Sequence, residues 1–95
     1  MSDVINAAVA ALNEKMGPFT DGVAKFVIKD EGSIIVDASG ARAGDDEADV
    51  TLTASRETFE GLLDGSVNPT MAYMTGKLAV DGNIGLAMKM GSALS

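Results

Sequence analysis

Fourteen carboxylates and a single phenol are what this chain offers to acid–base chemistry, because it has no histidine and no cysteine. General acid–base work would fall to a carboxylate or to Tyr73 with a strongly displaced pKa, and a serine nucleophile would lack its usual imidazole base. No G-x-S-x-G elbow is present. The densest acidic cluster, Asp45, Asp46, Glu47 and Asp49, invites a calcium reading. An EF-hand loop starting at Asp45 needs glycine at its sixth position and glutamate at its twelfth, where Val50 and Arg56 stand, so the cluster reads as a solvated acidic loop. "TGKL" has the Gly-Lys pair of a phosphate-binding loop, but that loop needs glycine where Met71 stands and Ser or Thr where Leu78 stands. The missing cysteines exclude disulfides and thiolate metal sites. The chain is therefore expected to be no enzyme, to hold no metal and to need no cofactor.

A length of 95 residues fits one compact domain, residues 1–95, with a small core. Hydrophobic residues at 46% and charged ones at 22% mark a globular composition rather than a disordered one. The net charge of −7, with Lys and Arg scattered, argues against nucleic acid as a partner. Anionic lipid headgroups would repel such a surface, leaving brief membrane collisions open. "MSDVINAAVAAL" lacks the basic start of a secretory signal, no apolar run reaches the ~18 residues of a membrane span, and the final "ALS" is not the peroxisomal S-K-L. A cytoplasmic location is expected.

The elements that must carry any site follow from periodicity. Val4, Ile5, Ala8, Val9, Leu12 and Met16 recur at helical spacing from Ser2, a capping residue, to a stop at Gly17-Pro18. The period then changes to two. Ala24, Phe26 and Ile28 share one strand face, and Ile34, Val36 and Ala38 the next, with the turn "DEGS" between them as a hairpin signature. "GARAG" reads as a short edge strand or loop turning at Gly44, and Val50, Leu52 and Ala54 alternate with Thr51 and Thr53. Ser55 caps a helix whose buried side holds Phe59, Leu62 and Leu63 and which ends at Asp64-Gly65. Asn68-Pro69 opens a short helix bearing Met71 and Met74 and closing at Gly76. "KLAVDG" is a strand with Leu78 and Val80 on one face, and Asn83 caps a last helix from Ile84 to about Leu94. With three or four strands first and most helices later, the order predicts an α+β layer.

The last helix is the anomaly. Ile84 and Met88 lie on one side, Leu86 and Met90 on another, and Lys89 is its one charge. A helix apolar nearly all round is normally buried, and so small a domain has little protein left to surround it. A partner subunit or an apolar ligand would cover the rest. Met71, Met74, Met88 and Met90 crowd the same region; by spacing alone, such flexible side chains read as core filler.

"PTMAYMTGKLAVDGNIGLAMKM", Pro69 to Met90, closely resembles the terminal signature of the sterol carrier protein type 2 (sterol-binding) domain: an aromatic residue, a Gly-Lys-Leu strand, a Gly-Asn turn and a Leu-Ala-Met-Lys helix. "ADVTLTASRETFEGLLDGSVNP" resembles the strand, helix and Gly-x-x-x-Pro link upstream, so the likeness spans roughly 48–90, with agreement in element order before Gly40. The resemblance implies an α/β fold of the α+β kind: a five-stranded, mainly antiparallel sheet covered on one face by about four helices, enclosing a hydrophobic tunnel. It implies a non-catalytic lipid-binding and lipid-transfer protein whose cargo is a fatty acid, acyl-CoA, sterol or similar lipid. The methionines then become tunnel wall rather than filler. The candidate lining is Phe26, Ile28, Val36, Leu52, Phe59, Leu62, Leu63, Met71, Met74, Leu78, Val80, Ile84 and Met88. Ending soon after the signature helix without S-K-L, the chain fits a free-standing, bacterial version. Two alternatives stand beside this: an accessory domain presenting a quinone- or polyketide-type intermediate to an enzyme complex, and a structural module dimerising through its last helix.

Overall fold

The computed structural model describes residues 3–94. Ser2, the expected cap of the first helix, lies outside them. The order is α1 (Asp3–Lys15), β1 (Ala24–Ile28), β2 (Gly32–Asp37), β3 (Gly40–Ala43), β4 (Val50–Ala54), α2 (Arg56–Asp64), α3 (Pro69–Met74), β5 (Leu78–Gly82) and α4 (Ile84–Leu94). The strands form one sheet in the order β3-β2-β1-β4-β5. Its pairs are antiparallel except β1 with β4, which run parallel with Ala24 opposite Val50. Asp49 sets that register. Its N–H donates to the Val23 carbonyl at 2.8 Å and its Oδ2 accepts the Val23 N–H at 2.9 Å, so the two strands start together.

All four helices cover one face of the sheet. Phe26, Ile34, Val36 and Leu52 from the strands meet Leu12 of α1, Phe59 and Leu62 of α2, Ala72 of α3 and Met90 of α4 in one buried cluster. Phe26 and Phe59 pack edge to face, centroids 5.3 Å apart, the geometry that aromatic quadrupoles favour. No helix among the described residues is long and apolar enough to cross a membrane.

One strand reading needs correction, and one burial was not foreseen. β2 ends at Asp37, and Ala38 lies exposed in the turn to β3 instead of on the inward face, because Asp37 Oδ1 accepts the Ser39 N–H at 2.9 Å and turns the chain. Ile35 points to the outer face, opposite Lys25 and Arg42, yet is fully buried. The acidic loop covers it. A Cβ built on Gly44 would stand 3.4 Å from Ile35 Cγ1, and Lys25 reaches over to Asp45 at 2.9 Å.

The β3 edge is engaged at Ala41 by a side chain. Asn13 of α1 donates through Nδ2 to the Ala41 carbonyl at 3.0 Å and accepts the Ala41 N–H through Oδ1 at 2.8 Å. One amide thus supplies both bonds that a further strand would make at this residue. Asn13→Ala will leave a partly buried donor and acceptor without these partners, at a cost of about 1–2 kcal/mol. Thermal unfolding should show a fall in Tm of roughly 5–15 °C; an unchanged Tm would mean that water replaces the amide at no cost.

Candidate functional site

The walls of the site are fixed at their N-terminal ends by local chemistry. At α3, Asn68 Oδ1 accepts the N–H groups of Thr70 (2.9 Å) and Met71 (3.2 Å), while Pro69 fills the first helical position, where no donor is needed. At α4, Asn83 Oδ1 accepts the Leu86 N–H at 3.2 Å, and the Asn83 N–H donates to the Asp49 carbonyl at 2.9 Å. The second bond ties the start of α4 to the start of β4. An exposed ion pair, Lys89 to Asp21 at 3.5 Å, joins α4 to the segment before β1.

Between α3 and α4 lies a cavity of about 350 Å³. Phe26, Leu52, Leu78 and Val80 line it from the sheet and Leu62 from α2; α3 contributes Pro69, Thr70 and Tyr73, and α4 contributes Ile84, Ala87, Met88, Gly91, Ser92 and Leu94, with Asn68 beside them. Phe26, Leu52, Leu62, Leu78 and Leu94 are buried, whereas Tyr73, Ile84 and Met88 are exposed and mark the mouth.

Of the candidate residues read from the sequence, the cavity brings together Phe26, Leu52, Leu62, Leu78, Val80, Ile84 and Met88. Ile28, Val36 and Phe59 sit in the packed core away from its lining, and Leu63 is half-buried outside it. Met71 and Met74 also stand outside the lining, 57% and 73% exposed.

Sequence reasoning missed the remaining lining residues, although α4 carried a signal. Leu86, Met90 and Leu94 form its buried seam at a spacing of four, while Ile84, Ala87, Met88, Gly91 and Ser92 form a second stripe at helical spacing. Three residues of that stripe are small. A row of leucines there would narrow the cavity; Ala87 and Ser92 are small, and Gly91 lets α4 approach α3, since a Cβ on it would stand 3.4 Å from Pro69 Cβ.

Among the described residues, no Asp, Glu, Lys or Arg lines the cavity. Its polar groups are Asn68, already engaged in capping, and the exposed hydroxyl residues Thr70, Tyr73 and Ser92. The carboxyls held below the ordinary aspartate range lie elsewhere: Asp37 through its hydrogen bond from Arg42, Asp64 through hydrogen bonds from Ser66. The described residues bring together no group of acids that could hold a metal ion. An apolar pocket with hydroxyls at its mouth can hold a hydrocarbon and meet a polar end group at the water boundary.

The family profile of the SCP-2 sterol transfer family matches residues 5–95. Hydroxysteroid dehydrogenase-like protein 2 from Danio rerio is 33% identical over 98 residues, covering 95% of this chain and 24% of that protein. Peroxisomal multifunctional enzyme A from Dictyostelium discoideum is 36% identical over 83 residues, covering 87% of this chain and 18% of that protein. The chain thus spans about a quarter or less of these curated relatives. In fold it resembles the sterol carrier protein 2 of Aedes aegypti in complex with the C16 fatty acid palmitate, with a TM-score of 0.79, 20% identity, and coverage of 100% of this chain and 97% of that one.

Proposed function

The chain belongs to the SCP-2 sterol transfer family, and from that premise we propose that it is a non-catalytic lipid-binding and lipid-transfer protein holding one apolar chain between α3 and α4. The supporting observation is the cavity of about 350 Å³, to whose lining the described residues contribute no charged side chain. A volume of that size lies at the lower end of the ~300–1,000 Å³ typical of small-molecule sites. Were it closed and dry, at ~24 cal/mol per Å³ the 350 Å³ would cost about 8 kcal/mol, comparable with the whole stability of a small domain. An acyl chain offsets that cost, since each methylene withdrawn from water contributes about 0.8 kcal/mol.

The cargo class carried over is a long-chain fatty acid, like the palmitate of the Aedes aegypti complex, with acyl-CoA and sterols as competitors. In this proposal Phe26, Leu52, Leu62, Leu78, Val80, Ile84 and Met88 contact the hydrocarbon. Thr70, Tyr73 and Ser92 face the polar end. The cytoplasmic location and the absence of nucleic-acid partners remain part of the reading.

Titrating the protein with a fatty acid, an acyl-CoA and a sterol tests it. At a ligand concentration of 100 Kd, mass action contributes about 2.7 kcal/mol, so the Tm should rise by roughly 10–20 °C. A ligand panel that neither shifts the Tm nor displaces an apolar fluorescent probe sinks the proposal.

A second reading has its own support. Of the curated relatives described above, one is named an enzyme and the other dehydrogenase-like, and this chain matches only a part of each. As an accessory module, the domain would present a hydrophobic intermediate to a catalytic partner. Stable co-purification with an enzyme complex, in place of free diffusion with bound lipid, distinguishes this role.

A further inference from the structure

Both ends of α4 line the cavity: Ile84, its first residue, and Leu94, its last. At 1.5 Å of rise per residue, the eleven residues of α4 set those two about 15 Å apart, and the cavity runs beside the helix for that length. Leu94 is buried within the core cluster, so the path ends against packed protein there. Between the two ends the floor is Leu52, Leu78 and Val80. We propose that the cavity takes one unbranched alkyl chain lying along α4 and measures it at about twelve carbons, leaving further methylenes in water. The inference rests on the lipid-carrier reading and narrows its cargo.

Length and volume give that count separately. An extended polypeptide spans ~3.3–3.6 Å per three-bond residue, so a zigzag chain advances about 1.2 Å per bond. A path of about 15 Å therefore takes about twelve such steps. The volume agrees, because at ~30 Å³ for a water-sized group the 350 Å³ cavity holds about twelve of them. One chain laid lengthwise uses up the space. A second chain would need as much again, and the fused rings of a sterol alone carry more carbons than that. The chain of palmitate would keep about four carbons outside. Ala87, between the two ends, is small enough to let the chain pass. With no charged side chain among the described residues of the lining, burial of methylenes governs affinity, at about fourfold each.

Straight-chain fatty acids of eight to eighteen carbons, each below its aggregation limit, and cholesterol are titrated against the protein, with displacement of an apolar fluorescent probe as the readout. The Kd should fall about fourfold per methylene up to about twelve carbons. From fourteen to eighteen carbons the total gain should stay under about twofold, because those methylenes remain in water. Cholesterol should bind at least tenfold more weakly than the twelve-carbon acid. Ala87→Phe sets a ring across the path and leaves about 10 Å between residue 87 and Leu94, so its curve should level off at about eight carbons. Its loss relative to the wild type should then grow about fourfold with each methylene from eight to twelve carbons. A gain that continues unbroken through eighteen carbons overturns the inference and leaves the carrier reading standing. So does cholesterol binding as tightly as the twelve-carbon acid, or an Ala87→Phe loss equal at every length. If that variant does not fold, the wild-type series decides alone. Should no acid of any length displace the probe, the carrier reading itself falls and the inference with it.

Discussion

Ala87→Phe will lower affinity for a long-chain fatty acid at least tenfold and leave the thermal stability unchanged or raised. Ala87 is half-buried on the open stripe of α4 and faces the same cavity as Leu52, Val80 and Leu78. A phenyl ring there occupies volume that the acyl chain would take, and it does so in apolar surroundings, where filling a void commonly adds 0.5–2 kcal/mol of stability. A loss of ten methylenes' worth of burial at ~0.8 kcal/mol each would far exceed tenfold, so even partial blockage is measurable. Affinity and Tm therefore move in opposite directions, a combination that simple damage to the fold does not produce. Should the variant bind the fatty acid as the wild type does, with its Tm intact, the cargo lies somewhere other than between α3 and α4.

Gly82→Ala is expected to be the most destabilising single methyl addition near the site, at about 3–5 kcal/mol or roughly 12–25 °C in Tm. Gly82 closes β5 with φ +103°, and a Cβ there would lie 2.5 Å from the Asp49 carbonyl oxygen and 3.1 Å from Val50 Cα. Both obstacles are backbone and cannot rotate aside. The same carbonyl receives the Asn83 N–H that anchors α4, so relief of the overlap pulls the cavity wall off the sheet and lipid affinity falls with stability. Gly65→Ala is the control. That residue, at φ +85°, ends α2 with nothing within 4 Å of a built Cβ, so the change adds only the left-handed backbone cost of about 1–2 kcal/mol. Equal melting temperatures for the two variants would show that the approach of Asp49 to Gly82 carries no energetic weight.

The elements were legible in the sequence because their signals are local. Ser55, Asn68 and Asn83 cap the helices they precede by bonding to N–H groups two or three residues on, and a strand's alternation needs no knowledge of its neighbours. The parallel pairing of β1 with β4 was not legible, since it depends on Asp49 meeting Val23 at a sequence separation of 26. The site was legible in part for the same reason. Hydrophobicity marks Leu52, Val80 and Met71 alike as averse to water, but whether a side chain ends in a packed core, a cavity or on the surface depends on what the opposing helix lacks. Here the deciding residues are Ala87, Gly91 and Ser92, which a search for large apolar groups passes over. Burial of Ile35 was hidden similarly, because its cover comes from the acidic loop on the far side of the sheet.

The grip of Asn13 on Ala41 also bears on how copies of this protein could stick together. Strand-by-strand growth of a fibre requires every molecule to offer two adhesive margins, one to receive and one to extend. With the β3 margin engaged at Ala41, the β5 margin is the more open one among the described residues, and two molecules joined there back to back present to a third only margins obstructed by Asn13. Edge association then stops at a pair, and removing the asparagine amide would turn a terminating contact into a propagating one.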